Sequence, residues 1–178
     1  MESIYSKKDI EQLNTAKRVK EQSESLGISY CTIEDNNYPV ALKEVPDRPA
    51  VLYYKGEIGI LNTYKNIAVI GSRNSSPKGR KLAYKTGRAL VGGGMTIVNG
   101  LALGCDAEAL RGGALDVRGR CVVVMPCGLD DIQPKSNSGI AQRIIDLGGC
   151  ILSEYPVGAS RNKYQYVERD RKSCEHKE

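Results

Sequence analysis

The sequence predicts an α/β protein: a Rossmann-like parallel sheet with helices on both faces, preceded by a small N-terminal helical and extended segment. Three observations predict it. After Tyr64 the chain repeats one rhythm of apolar run, glycine-rich loop and helix-period segment. The runs, such as "IAVI" and "CVVVM", are apolar throughout rather than alternating, as strands covered on both faces must be. The order strand, loop, helix, strand is the one that builds a parallel sheet.

The elements follow in order. Residues 7–26 read as a helix, because Ile10, Leu13, Ala16 and Val19 recur at helical spacing and Gly27 stops it. A strand from Ile28 to Ile33, the turn "EDNNYP", a brief helix, a proline-bounded turn and a strand from Val51 to Tyr54 complete the lead-in segment, residues 1–64. The core, residues 65–171, opens with a strand from Ile67 to Ile70. Its first helix places Leu82, Thr86, Ala89 and Leu90 on one face and ends at Gly92-Gly93-Gly94. "MTIVNG" is a strand, "LALGCDAEALRGGAL" a loop and helix, and "RCVVVMPCG" a third strand. "SGIAQRIIDLGG" is a helix with Ile140, Ile144 and Ile145 inward, and "CILSEYP" is the fourth strand. Residues 172–178 form a polar tail.

Composition narrows the function classes. A chain of 178 residues, 40% hydrophobic and 26% charged, fits one globular domain with a small appendage. No apolar run approaches the ~20 residues that span a bilayer, and "MESIYSKKDIEQLN" lacks the apolar region of a signal peptide, so a cytoplasmic protein without membrane partners is expected. The six cysteines, 31, 105, 121, 127, 150 and 174, form no C-x-x-C pair, and the single histidine, His176, lies in the charged tail. A zinc site needs clustered ligands; no metal and no cofactor are expected. A Ser-His-Asp triad needs a histidine inside the domain, and no G-x-x-x-x-G-K-[ST] phosphate loop exists. Cys127 has no histidine partner in sequence and reads as a packed thiol.

Charge is distributed unevenly. From Ile58 to Cys105 there is no aspartate or glutamate, while Lys65, Arg73, Lys78, Arg80, Lys81, Lys85 and Arg88 all fall in that stretch. One sign across a loop and the following helix creates a local field that attracts polyanions. Lys81, Lys85 and Arg88 read mostly as a solvated helix face. Arg73 does not, because it stands in the strand-to-helix loop.

In a sheet of this kind ligands bind beyond the carboxyl ends of the strands. Four loops leave those ends: residues 71–76, 99–106, 126–137 and 153–158. In the first, Gly71 allows a sharp exit, Ser75 or Ser76 caps the helix, and Pro77 suits its first turn. A dinucleotide loop would carry a second glycine where Arg73 stands. A guanidinium beside helix-start N–H groups suits a phosphodiester at the mouth of a site instead. A structural ion pair from Arg73 to Asp106 is the plainer alternative, and Asp106 itself reads as a helix cap.

Six ordered segments carry a resemblance: "NNYPVALKEVPDRPAVLYYKG", "IAVIGSRNSSPKG", "IVNGLALGCDAEAL", "VVVMPCGLDDIQPKSN", "ILSEYPVG" and "YVERDR". Together they span about residues 36–171 and resemble the DNA-processing protein A (DprA/Smf) family. The resemblance implies a Rossmann-like core that binds single-stranded DNA, assists loading of the RecA recombinase and acts in DNA uptake during natural transformation. It implies DNA recombination rather than enzyme activity, and it allows a homodimer. By the same resemblance the phosphate-binding set is Gly71, Ser72, Arg73, Asn74, Asn99, Gly100, Leu101, Lys135, Asn137, Arg169 and Arg171. With no Phe or Trp in the chain, Tyr166 is the candidate ring on which a base stacks, and a packing tyrosine is the plainer alternative there. Gln133 and Pro134 fall in the segment carrying Lys135 and Asn137. Asn99 stands where the family has serine, Glu168 and Asp170 bring acid beside the arginines, and the chain ends in "KSCEHKE", so a C-terminally shortened member is expected. The competing reading is a nucleotide-binding or nucleotide-hydrolysing Rossmann protein related to the LOG group, whose P-G-G-x-G-T-x-x-E motif is replaced here by "MPCGLDD".

Overall fold

The computed structural model describes residues 6–114, 119–159, 162, 164–166 and 169. Arg171, Glu168, Asp170 and the polar tail lie outside the described residues. The elements run α1 (Lys7–Ser25), β1 (Ser29–Thr32), α2 (Val40–Lys43), β2 (Val51–Gly56), α3 (Ile60–Thr63), β3 (Asn66–Ala68), α4 (Pro77–Gly92), β4 (Thr96–Asn99), α5 (Cys105–Gly113), β5 (Cys121–Met125), a 3-10 turn (Lys135–Asn137), α6 (Ser138–Asp146) and β6 (Cys150–Ser153). They form one six-stranded sheet in the order β1-β2-β6-β5-β4-β3.

The α/β Rossmann-like class holds, with two differences of detail. The sheet is mixed: β3 to β6 are parallel, whereas β2 pairs antiparallel with both β1 and β6. The lead-in strands therefore extend the sheet of the core. The second difference concerns the two faces. From β3 to β6 each strand lies on the same side of its predecessor, so crossovers of one hand place α4, α5 and α6 on the same face. There Val91, Leu110, Ile140 and Ile144 pack on Ile97, Val123, Met125 and Ile151. The opposite face, with Val98, Val122, Val124 and Leu152, is covered by Tyr38, Ile58 and Ile60 of the lead-in. Among the described residues, the helices packed on that face are the single turns α2 and α3.

Two helices use their apolar residues otherwise than periodicity suggests. α1 starts in a capping box, with Ser6 and Asp9 exchanging side-chain-to-backbone bonds, yet Ile10 and Leu13 are exposed and, among its described side chains, Ser23 near its end is the buried one. In α4 the expected face is corrected in part: Thr86 and Leu90 are half-buried, with Leu90 packed on the core, but Leu82 and Ala89 are exposed, and Gly87 and Val91 are the buried residues. The reason is a close backbone approach. A Cβ on Gly87 would strike the Ala109 carbonyl of α5, and one on Gly112 would strike the Tyr84 carbonyl of α4. Reciprocal glycines bring the helices together and rotate Leu82 outward.

Gly87→Ala should therefore overpack the α4–α5 seam. The expected cost is about 1–3 kcal/mol, read as a lowered thermal midpoint. Leu82→Gln, on the opposite face, should leave the midpoint nearly unchanged.

Candidate nucleic-acid interface

The loops beyond the carboxyl ends of β3, β4 and β5 meet, and the meeting point is held by buried polar side chains. Asn99, the last residue of β4, is fully buried. Its Nδ2 donates to the Val69 carbonyl (3.1 Å) and the Asp106 carbonyl (3.2 Å), and its Oδ1 accepts from the Leu101 amide (3.0 Å). Leu101 is held at φ 57°, a left-handed conformation rare outside glycine, with its side chain buried. Asn137 completes the support by donating to the Leu101 carbonyl at 3.0 Å. The strained loop is thus tied from both sides.

Asp106 joins the first two loops. The N-cap of α5 is Gly104, so the capping role expected for Asp106 is corrected. Its Oδ1 instead accepts from the Gly71 amide at 3.1 Å, and the Cys105 amide donates to the Ser72 carbonyl at 3.1 Å. Burial pushes the Asp106 carboxyl above the ordinary range, while the amides of Gly71, Gly100 and Ala102 and the charge of Arg169 pull it down. Arg73 is exposed; among the described residues it makes no ion pair within 4 Å, with Asp106 or any other carboxylate. Ser76 accepts from the Gly79 amide and caps α4, with Pro77 as its first residue.

Above this floor lies a recess of about 180 Å³ lined by Arg73, Gly100, Ala102, Leu103, Pro126, Gln133, Pro134, Tyr166 and Arg169. Sites that engulf a small-molecule ligand usually measure about 300–1,000 Å³, so this recess suits one group presented at its mouth. Arg169 is 4% exposed. Its guanidinium donates to the Val124 carbonyl at 3.2 Å, lies 6.0 Å from the half-buried Tyr166 ring, and covers Gly100 so closely that a Cβ there would collide with it. Asn162 and Gln165 exchange bonds of 2.7 and 3.1 Å just before Tyr166 and seat that segment.

The expected site residues separate by position. Arg73, Gly100, Tyr166 and Arg169 come together in the lining. Asn99 and Leu101 are fully buried and Asn137 nearly so, and none of the three lines the recess, so their burial corrects the expectation of direct contact. Gly71, Ser72 and Asn74 are exposed in the first loop, and Lys135 is exposed at the start of the 3-10 turn, next to the lining residue Pro134. Loop 153–158 does not reach the recess. It packs behind the third loop, where the Gly158 amide donates to Asp130 and Pro156 crowds Gly128. Cys127 is buried and bonds the Asp131 carbonyl, as a packed thiol does. Leu103 was missed: it is half-exposed in the lining, and its signal is an apolar side chain in a glycine loop that serves neither strand nor helix.

Residues 29–173 match the model of the family described as DNA recombination-mediator protein A. The chain belongs to that family. Among curated relatives of this DNA-processing family it is 36% identical to protein Smf of Synechocystis, over 85% of this chain and 38% of the relative. It is 36% identical to DNA processing protein DprA of Streptococcus pneumoniae, over 79% of this chain and 48% of the relative. The chain thus spans less than half the length of these relatives. Among solved structures it matches DNA processing protein A of Helicobacter pylori, described for its unique single-stranded DNA binding mode. There the TM-score is 0.71 at 32% identity, over 82% of this chain and 64% of that one. The structure of DprA from Streptococcus pneumoniae gives a TM-score of 0.71 at 31% identity, over 89% of this chain and 56% of that one. No described helix is long and apolar enough to cross a membrane.

Asp106 supplies a prediction. The folded carboxyl holds its proton more tightly than the unfolded chain does, so its contribution is fully present below the ordinary carboxylate value and is lost as pH rises through the raised one. Asp106→Asn should flatten that decline, read as thermal midpoints measured from about pH 4 upward against wild type.

Proposed function

We propose that this chain binds single-stranded DNA through the recess between the first three strand-end loops, as a DNA-processing protein acting in recombination during DNA uptake. The observation that carries the proposal is the pairing of Arg73 and Arg169 with Tyr166 around one shallow opening. Arg73 takes a phosphodiester with its planar fork. Arg169, pinned by Val124 and Gly100, is a fixed positive charge beneath the opening. Tyr166 offers a face to one base, a contact tolerant of sequence because every base has a π-face. Gly71, Ser72 and Asn74 present first-loop polar groups to the backbone, and Lys135 adds a rim charge. Asn99, Leu101 and Asn137 position the floor.

A cytoplasmic protein that engages the RecA recombinase and performs no catalysis of its own completes the reading. It is supported by family membership and by the single-stranded DNA binding described for the Helicobacter pylori relative. The nucleotide-hydrolysing alternative has no such support among the relatives. Release of free base from a nucleoside monophosphate by this chain would revive it.

Fluorescence titration of labelled oligo-dT across a salt series tests the site. Arg73→Ala should weaken binding about ten-fold and make the salt slope shallower by about 0.7. Tyr166→Ala should cost about 1–3 kcal/mol with the slope unchanged. Gly100→Ala should displace the Arg169 guanidinium and weaken binding while the protein still melts cooperatively. Wild-type affinity from all three variants would place DNA elsewhere on the protein.

A further inference from the structure

The recess does not use all of the charge that the first core strand and helix carry. Seven cations and no carboxylate fall between Ile58 and Cys105. Only Arg73 among them lines the recess. Five of the others, Lys78, Arg80, Lys81, Lys85 and Arg88, sit on α4 and are exposed. Arg80 points away from the rest, and Lys78, Lys81, Lys85 and Arg88 form one stripe. At about 100° per residue they fall within about 80° of the helix circumference, and the rise from Lys78 to Arg88 is about 15 Å. This side of α4 is turned away from Gly87, which faces α5, and from the buried Val91.

Neutralisation by the protein itself would remove the stripe's field, and it does not occur among the described residues. The recorded ion pairs there are Lys20–Glu24 and Arg111–Glu108, neither on α4. Glu108, on the neighbouring α5, is held by Arg111 at 2.7 Å. Asp106 is buried and engaged with Gly71. The stripe is also continuous with the recess. Arg73 stands four residues before Pro77, where α4 begins, and Lys78 is the second residue of the helix.

We infer that α4 is a second, outer portion of the nucleic-acid surface, along which the strand leaving the recess runs with its phosphates against Lys78, Lys81, Lys85 and Arg88. This rests on the reading of the recess as a DNA site and extends it. The two portions have different chemistry. The recess combines two arginines with an aromatic ring and holds one nucleotide in a fixed place. The stripe consists of long flexible cations with no aromatic residue among them, flanked by the exposed Leu82 on one side and the half-buried Tyr84 on the other, so it takes backbone charge. Strand length, rather than base identity, is what it senses.

The test uses the full 178-residue chain and two probes, an oligo-dT of about four nucleotides, one of which occupies the recess, and one of about thirty that continues well past it. Wild type should bind the long probe more tightly and with a steeper salt dependence. The triple variant Lys81→Gln, Lys85→Gln, Arg88→Gln should bind the short probe as wild type does. For the long probe its salt slope should be shallower by about 2, and its affinity about ten- to hundred-fold lower near 0.1 M salt. Glutamine is a good helix former at exposed positions; a charge-keeping set, K81R, K85R and R88K, should retain the wild-type slope. An unchanged slope for the long probe in the triple variant overturns the inference and leaves the stripe to an acidic protein. Equal loss on both probes, or equal loss in the charge-keeping set, also overturns it. Arg73→Ala should weaken both probes, so a failed stripe with an intact recess is distinguishable; no binding by wild type overturns both.

Discussion

The site depends on one carboxamide. Asn99 ends β4 inside the protein and bonds three backbone groups at once, on the β3 exit, the loop after β4 and the first turn of α5. A buried amide that is fully engaged fixes geometry, because each lost partner would leave a desolvated polar group. Asp106 and Asn137 extend the same network to the first and third loops. Those loops consequently behave as one floor, and the left-handed Leu101 is retained because both its amide and its carbonyl are claimed.

The topology determines what that floor supports. Because β3 to β6 advance in one direction, their crossover helices share a face, and the loops beyond β3, β4 and β5 lie side by side at the same end. Late residues return across this end, where Arg169 covers Gly100 and donates to Val124. A buried guanidinium thus forms part of the floor while an exposed one, Arg73, stands at the rim. The buried charge is preorganised and the exposed one can adapt to a ligand. Such a division suits a polymer backbone that must be held at one point and followed at others.

The α4–α5 seam shows how packing overrides pattern. Apolar periodicity places Leu82 and Ala89 inward, but the decisive residues are Gly87 and Gly112, whose missing side chains let two backbones touch. A hydrophobicity pattern scores glycine as uninformative, so it places Leu90 rightly but misjudges Leu82 and Ala89. The same rotation that exposes Leu82 turns Lys81, Lys85 and Arg88 outward into one stripe.

Much of the chain was legible before any coordinates. Unbroken apolar runs, glycine exits and the Ser76-Pro77 helix start determined the α/β class and the place of each core element, since these depend on local backbone chemistry and burial on two faces. The displaced Arg73 and the acid-free stretch around it already carried the expectation that underlies the proposed polyanion surface. Only the tertiary structure decided which residues line that surface and which support it. Asn99, Leu101 and Asn137 belong to the same motifs as Arg73 and Arg169, and sequence cannot separate them, because burial is set by partners far along the chain. The antiparallel union of β2 with β6 and the covering of one face by the lead-in are of the same kind: both arise from pairing across about a hundred residues, which no local pattern records.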